Sequence, residues 1–282
     1  MKSKLVLSIL IFIVMVSSAA CLSSTPKTAA APALDLPATQ AAEKAAVETR
    51  QAAEAALAAE TRAAVDATEK AAAEKKAAAT EQAEKMNSLV QQLYAEKLIS
   101  SPQGIYIKLD DFNESWAQID WYQWYNTGLS PENFVLNLDI AYESASKYAN
   151  WQSSGCGFVF RETPGMKQNE FHFYRVFYAL DGFVYFDGTD GFMTAWDGNV
   201  YPKDIYLAKN KFGPPVLPAG NVKMTIIAEG EWVTVLINGK KVIQKQDATF
   251  RSGKLSYTLA SGTNKDFGTR CEMTNIEMWE LP

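Results

Sequence analysis

The sequence predicts an all-β domain of two antiparallel sheets preceded by a long Ala-rich helical stalk, on three observations. All 16 Gly and all seven Trp fall at or after Gly104, and Tyr94 is the only one of 12 Tyr that comes earlier. Residues 38–101 contain neither Gly nor Pro, and residues 41–85 hold 20 Ala and 16 charged residues. Beyond Pro102 the texture changes to β-branched and aromatic runs broken by Gly, Asn and Asp. About 180 residues are then left for one packed domain, ample for a real core. The net charge of −5 lies wholly in residues 101–282, which carry 21 Asp+Glu against 16 Lys+Arg. A nucleic-acid partner needs a basic footprint and is disfavoured.

In chain order, residues 1–20 read as a secretory signal peptide. Lys2 and Lys4 precede the apolar run Leu5–Val16, and Ser17-Ser18-Ala19-Ala20 leads into Cys21. The run is short for a membrane span, which needs about 20 residues. Small residues followed directly by cysteine resemble the bacterial lipoprotein signal, whose cysteine becomes the lipid-bearing N-terminus. Ser18 departs from that motif, which usually has Leu three residues before the cysteine. The resemblance implies lipidation of Cys21 and an extracytoplasmic protein held at the bacterial cell membrane. An ordinary cut, or an uncleaved anchor, remains the alternative. With Cys21 acylated, the other two of three cysteines, Cys156 and Cys271, are left as an even pair in an oxidising compartment, where a disulfide is expected. Two buried thiols too far apart to bond would give the same sequence.

Residues 21–37, with Pro26, Pro32 and Pro37, read as a flexible tether, and residues 38–101 as the stalk. Ala, Glu, Lys, Gln and Arg lose little side-chain freedom in a helix. Asp66/Lys70 and Glu81/Lys85 are favourably ordered i,i+4 pairs. Large apolar residues are sparse, with only Val47, Leu57 and Val65 before Met86, so no strong coiled coil is specified, although an oligomer through the stalk is allowed. Met86, Leu89, Val90, Leu93 and Leu98 form a stripe suited to packing on the domain or on a second copy.

In residues 102–282, Phe134, Leu136, Leu138, Ile140 and Tyr142 share one face of a strand, and Asn137, Asp139 and Glu143 the other. Asp181-Gly182 and Asn238-Gly239 sit between apolar runs and predict tight type I′ hairpins, in which both residues need φ > 0. With candidate strands at 104–109, 157–161, 170–180, 183–186, 222–228, 232–237, 240–243, 254–259 and 271–280, about ten strands without a long intervening helix indicate a sandwich.

An ordered set of segments resembles the concanavalin A-like (LamG-type) jelly roll of bacterial extracytoplasmic proteins. The segments are Asp110-Asp111-Phe112 with Trp116, the hairpin from Tyr178 to Tyr185, the run Glu231–Val242, the turn Ser252-Gly253-Lys254-Leu255 and the closing Asn275–Leu281. The resemblance implies a jelly-roll β-sandwich that binds carbohydrate or protein, and in some members cleaves glycosides. Glucanases of this shape carry alternating acids on one strand. The nearest stretch, Asn137-x-Asp139-x-Ala141-x-Glu143, has Asn in a nucleophile's place and leaves Asp139 and Glu143 about 13 Å apart, too far for a catalytic pair. No catalytic residue, metal site or cofactor is therefore assigned. His172, the lone histidine, reads as a strand residue and cannot build a histidine zinc site. Asp187-Gly188-Thr189-Asp190-Gly191 reads as a plain turn before a calcium loop.

The candidate ligand-binding residues are aromatic: Trp116, Trp121, Tyr122, Trp124 and Tyr125, with Trp151, Trp196 and Tyr201 as further contributors. Flat rings suit the apolar faces of sugars, but the same rings can seal the sandwich. The expected protein is a lipid-anchored surface lipoprotein whose non-catalytic jelly roll binds a glycan or another extracellular ligand. An envelope saccharide hydrolase and a protein-partner assembly module are the competing expectations.

Overall fold

The computed structural model describes residues 36–119, 121–149, 154–164, 170–192, 203–211 and 219–282. The expected signal peptide, Cys21 and nearly all of the expected tether lie outside them, as do Trp151, Trp196 and Tyr201. No helix among the described residues is long and apolar enough to cross a membrane.

The Gly- and Pro-free stretch forms α1 (Leu36–Ala95), 60 residues long. It ends six residues before the expected boundary, without a glycine. Lys97 takes the left-handed conformation (φ 60°), Leu98 N–H bonds Leu93 C=O (2.9 Å) and Lys97 N–H bonds Tyr94 C=O (3.0 Å). That is a Schellman cap, and Leu98 joins the same apolar cluster as Leu93, the contact such caps use. The chain then leaves along Ile99, buried, and Ser100, whose N–H and hydroxyl donate to the Glu229 carboxylate (3.0 and 2.6 Å).

Thirteen strands follow among the described residues: β1 (Ile105–Lys108), β2 (Phe112–Trp116), β3 (Trp121–Asn126), β4 (Phe134–Ser144), β5 (Gly155–Pro164), β6 (Glu170–Ala179), β7 (Phe183–Phe192), β8 (Lys203–Lys211), β9 (Ala219–Glu229), β10 (Trp232–Ile237), β11 (Lys240–Gln246), β12 (Lys254–Ser261) and β13 (Thr269–Glu280). They pair antiparallel into sheet one, in the order β1-β13-β4-β9-β10-β11 with β2 also on β13, and sheet two, in the order β3-β12-β5-β6-β7-β8. This is the expected two-sheet sandwich after a long helix. β2, β3 and β8 are absent from the expected strands because Phe112-Asn113-Glu114-Ser115-Trp116 and the charged β8 carry weak strand propensity, while β3 reads as an aromatic patch.

The alternation of β4 is realised: Phe134, Leu136, Leu138, Ile140 and Tyr142 enter the core between the sheets, against Phe158, Phe160, Tyr174 and Val176 of sheet two. Its other face is not uniformly solvated. Val135, Ile227 and Leu236 pack beneath Met86, Val90 and Leu93, so the helical stripe docks on sheet one. Asn137, expected on a polar outer face, is buried and accepts a bond from Thr225 Oγ1 (3.2 Å).

Cys156 of β5 and Cys271 of β13 form a disulfide with Cα atoms 6.3 Å apart, crossing the core from sheet to sheet. Asn238 (φ 50°) and Gly239 (φ 76°) join β10 to β11 as expected. The Asp181-Gly182 hairpin differs: only Gly182 has positive φ (81°), and its N–H bonds Ala179 C=O (3.2 Å) around Leu180 and Asp181. The loop has three residues rather than two, because buried Leu180 anchors it and Asp181 Oδ1 accepts from Phe183 N–H (3.0 Å).

Candidate functional site

Sheet two sends alternate side chains to opposite faces. Tyr125, Leu259, Phe158, Val176 and Val184 belong to the core. One position away on each strand, the outer face carries a register row that runs Trp124, Thr258, Gly157, Phe177, Tyr185, Lys209. A parallel row runs Asn126, Ser256, Val159, Arg175, Asp187. The middle of the face is floored by small residues between rings, and most of it is buried, Thr258, Ser256, Val159, Phe177 and Tyr185 included, while Trp124 is half-buried and Asn126 exposed. Gly157 allows this: a Cβ there would meet Val176 O at 2.0 Å. Across that floor the rings of Trp124 on β3 and Phe173 on β6 come within 6.0 Å, centroid to centroid.

The charges on this face are matched in place. Arg175 donates from Nε to Asp187 Oδ1 (3.0 Å) and from Nη2 to Oδ2 (2.7 Å), a bidentate pair, and its guanidinium lies 5.2 Å from the Phe177 ring. Lys209 Nζ stands 4.1 Å from the Phe183 ring and 4.6 Å from that of Tyr185, while Asp181 accepts from the Tyr185 hydroxyl. Glu162 is buried, and burial pushes its carboxyl above the usual range against the pull of Lys254, Ser256 and Trp124. Ser256 Oγ donates to it at 3.3 Å.

The candidate aromatics do not form one patch. Trp124 belongs to the outer face. Tyr125 packs against the core, edge-on to Phe112 at 5.2 Å, and Trp116 also packs inward, its indole N–H buried with no partner among the described residues. Trp121 and Tyr122 belong to β3, but their side chains lie outside the described residues. The period of two in β3 is what divides the cluster. The segment read as a turn, Asp187 to Gly191, is instead the middle of β7, and both Asp187 oxygens are taken by Arg175, which leaves no calcium loop there. Among the described residues no group of three His, Cys, Asp or Glu could hold a metal ion. His172 is a β6 residue whose ring lies 6.0 Å from Phe250. Asp139 and Glu143 lie on sheet one, bonded by Asn275 (2.9 Å) and facing Arg270 (3.4 Å).

Sequence reasoning missed Arg175 and Glu162, and read Asp187 only as part of a turn weighed against a calcium loop. The signal was there for one of them: Arg175 interrupts Phe171-His172-Phe173-Tyr174-Arg175-Val176-Phe177-Tyr178, and a cation inside an aromatic strand needs a paired anion.

No family model matches the chain, and no curated protein matches it in sequence. The fold defines it as an antiparallel β-sandwich carried behind a long helix. Among solved structures it is similar to the carbohydrate-binding module CBM66 from Bacillus subtilis, at 13% identity and TM-score 0.41 over 61% of this chain and 94% of that one. It is also similar to a fructosyltransferase from A. japonicus (13%, TM-score 0.40, 64% of this chain but 26% of that one). Sheep galectin-11 matches at 15% and TM-score 0.34, over 57% of this chain and 98% of that one. Likeness at these scores argues nothing about ligand or reaction.

Proposed function

We propose that this chain is a membrane-anchored extracytoplasmic lipoprotein whose stalked, non-catalytic β-sandwich binds a glycan through the outer face of sheet two. The observation that carries the reading is the edge of that face, where the half-buried ring of Trp124 and the exposed Asn126 stand beside a register row whose inner members, Phe177 and Tyr185, are buried and hold it rigid. The Trp124 ring supplies apolar contact to the CH face of a sugar, and Asn126, at the exposed end of β3, supplies an amide for hydroxyls. The Cys156–Cys271 disulfide fits an oxidising compartment, and the sequence around Cys21 supplies the anchor. Asp187 is held by Arg175 and so is not free to act as base or nucleophile, which favours binding over turnover.

A glycan array probed with the pure protein tests the reading. Binding to a defined saccharide class should be lost in Trp124→Ala while the variant keeps the wild-type thermal transition within a few degrees. An array with no signal, or one that Trp124→Ala leaves unchanged, refutes it. Glu162 favours one competing reading, because burial raises its carboxyl above the usual range, the direction that suits a general acid. Saccharide turnover lost in Glu162→Gln would replace binding with hydrolysis. The anchor is tested separately: Cys21→Ser should move the protein from the membrane to the soluble fraction, and an unchanged distribution would refute lipidation.

A further inference from the structure

The outer face of sheet one changes character along its strands. Around Val135, Ile227 and Leu236 it is apolar and lies beneath Met86, Val90 and Leu93. Two residues on along β4 it turns polar: Asn137 pairs in register with Glu277 of β13, and Asp139 with Lys223 of β9. The preceding turns of α1 overhang these polar rows without filling the gap. A cleft of about 320 Å³ remains, lined from the helix by Lys85 and Met86 and from the sheet by Asn137, Asp139, Lys223 and Glu277. That volume falls at the small end of ligand pockets, which run from about 300 to 1,000 Å³.

Two of the lining groups are buried but poorly satisfied. Asn137 is 5% exposed; its amide oxygen takes the Thr225 hydroxyl, and its amide nitrogen has no protein partner among the described residues. Glu277 is 7% exposed, and its one side-chain bond is a long one from the Tyr106 hydroxyl at 3.5 Å. Neither is among the enclosed polar atoms without a partner, so each keeps bonding capacity that a molecule entering the cleft can use. Asp139 and Lys223 are cross-strand neighbours that form no ion pair within 4 Å, so carboxylate and ammonium both remain available, apart from the Asn275 bond to Asp139.

We propose that this helix–sheet cleft is a second binding site, separate from the Trp124 face on the opposite sheet, for a neutral polyhydroxylated ligand of one or two sugar rings. Formal charge argues against an anion: Lys85 is already paired with Glu81 at 2.7 Å, which leaves Lys223 against the carboxylates of Asp139 and Glu277. Hydroxyls, which donate and accept at once, match a lining that mixes donors (the Asn137 amide, Lys223) with acceptors (Asp139, Glu277). Leu89, which also lines the cleft and is half-buried, gives the CH face of a ring an apolar surface. Because Lys85 and Met86 come from α1, a ligand here bridges the helix to the sandwich.

The test is a titration of the full chain, labelled with ¹³C at its methionine methyls, with maltose, cellobiose and N,N′-diacetylchitobiose in turn, with the Met86 methyl as reporter. At least one disaccharide should shift that signal saturably. Lys223→Ala, an exposed-side change, should weaken the apparent affinity by about tenfold, which corresponds to about 1.4 kcal/mol, and Trp124→Ala should leave it unchanged. No saturable Met86 shift with any of the three disaccharides, a shift that survives Lys223→Ala intact, or one abolished by Trp124→Ala would overturn the proposal. A failure of the array experiment alone would not.

Discussion

Removing the Cys156–Cys271 bond releases a cross-link between residues 115 positions apart that ties sheet two to sheet one through the core. In the loop-entropy model a closed loop of this length restrains the unfolded chain by about 4–5 kcal/mol. Domains are stable by about 5–15 kcal/mol in total, so the bond accounts for roughly a quarter or more of the margin. Both cysteines are fully buried, so reductant reaches the sulfurs on opening rather than in the native state. The assay is urea unfolding followed by tryptophan fluorescence, comparing the oxidised protein, the protein reduced and kept reduced, and Cys156→Ala/Cys271→Ala. Reduction should lower the unfolding free energy by about 4–5 kcal/mol and raise the m-value, since an unlinked chain exposes more surface. The double Ala variant should lose somewhat more, because it also empties the space of two buried sulfurs. A loss below about 1 kcal/mol on reduction would refute the loop-entropy reasoning for this chain.

Three further outcomes follow from the packing. Leu93→Ala, in the seam between α1 and sheet one, should cost about 2–5 kcal/mol in the same urea experiment; a near-neutral result would mean the helix does not dock there. Gly157→Ala should weaken folding markedly, because its Cβ would sit 2.0 Å from Val176 O, a backbone atom of the β5–β6 ladder; a thermal midpoint within error of wild type would contradict that register. Glu162 is pushed up mainly by burial, so the native state holds its proton more tightly than the unfolded chain does. Its contribution to stability is therefore full below the unfolded glutamate range, about pH 4.3, and is lost as pH rises through the folded value. Glu162→Gln should remove that decline and be the more stable protein above it, as read from urea midpoints across pH; identical pH profiles for the two proteins would count against it.

How much of this was legible depended on how local each determinant is. The helix, the β4 alternation and the Asn238-Gly239 turn need only neighbours in sequence, and all three could be read directly. The Asp181-Gly182 loop was misread because its length depends on Leu180 being drawn into the core and taking the Ser154 carbonyl, a contact from another segment. Arg161 was invisible for a similar reason. It occupies a bulge in β5 with φ 54° and is fully buried, its Nη1 and Nη2 donating to the Phe250 and Glu132 carbonyls at 3.0 Å each. A surface-type residue becomes a strut between two loops only because the fold brings both carbonyls to it.

By itself the sequence determined where the helix and the sandwich lie along the chain and the two-sheet class, whereas the bond between Cys156 and Cys271 was an expectation that only the structure decided. The first two follow from composition and a period of two. The tertiary structure alone decided which face of each strand is covered. A strand's alternation separates two faces but does not say what lies over either. In this chain the end of α1 lies over one face of β4, burying Asn137, and the pairing of β6 with β7 sets Arg175 against Asp187. Burial is a property of neighbours distant in sequence, and both candidate sites are made of it.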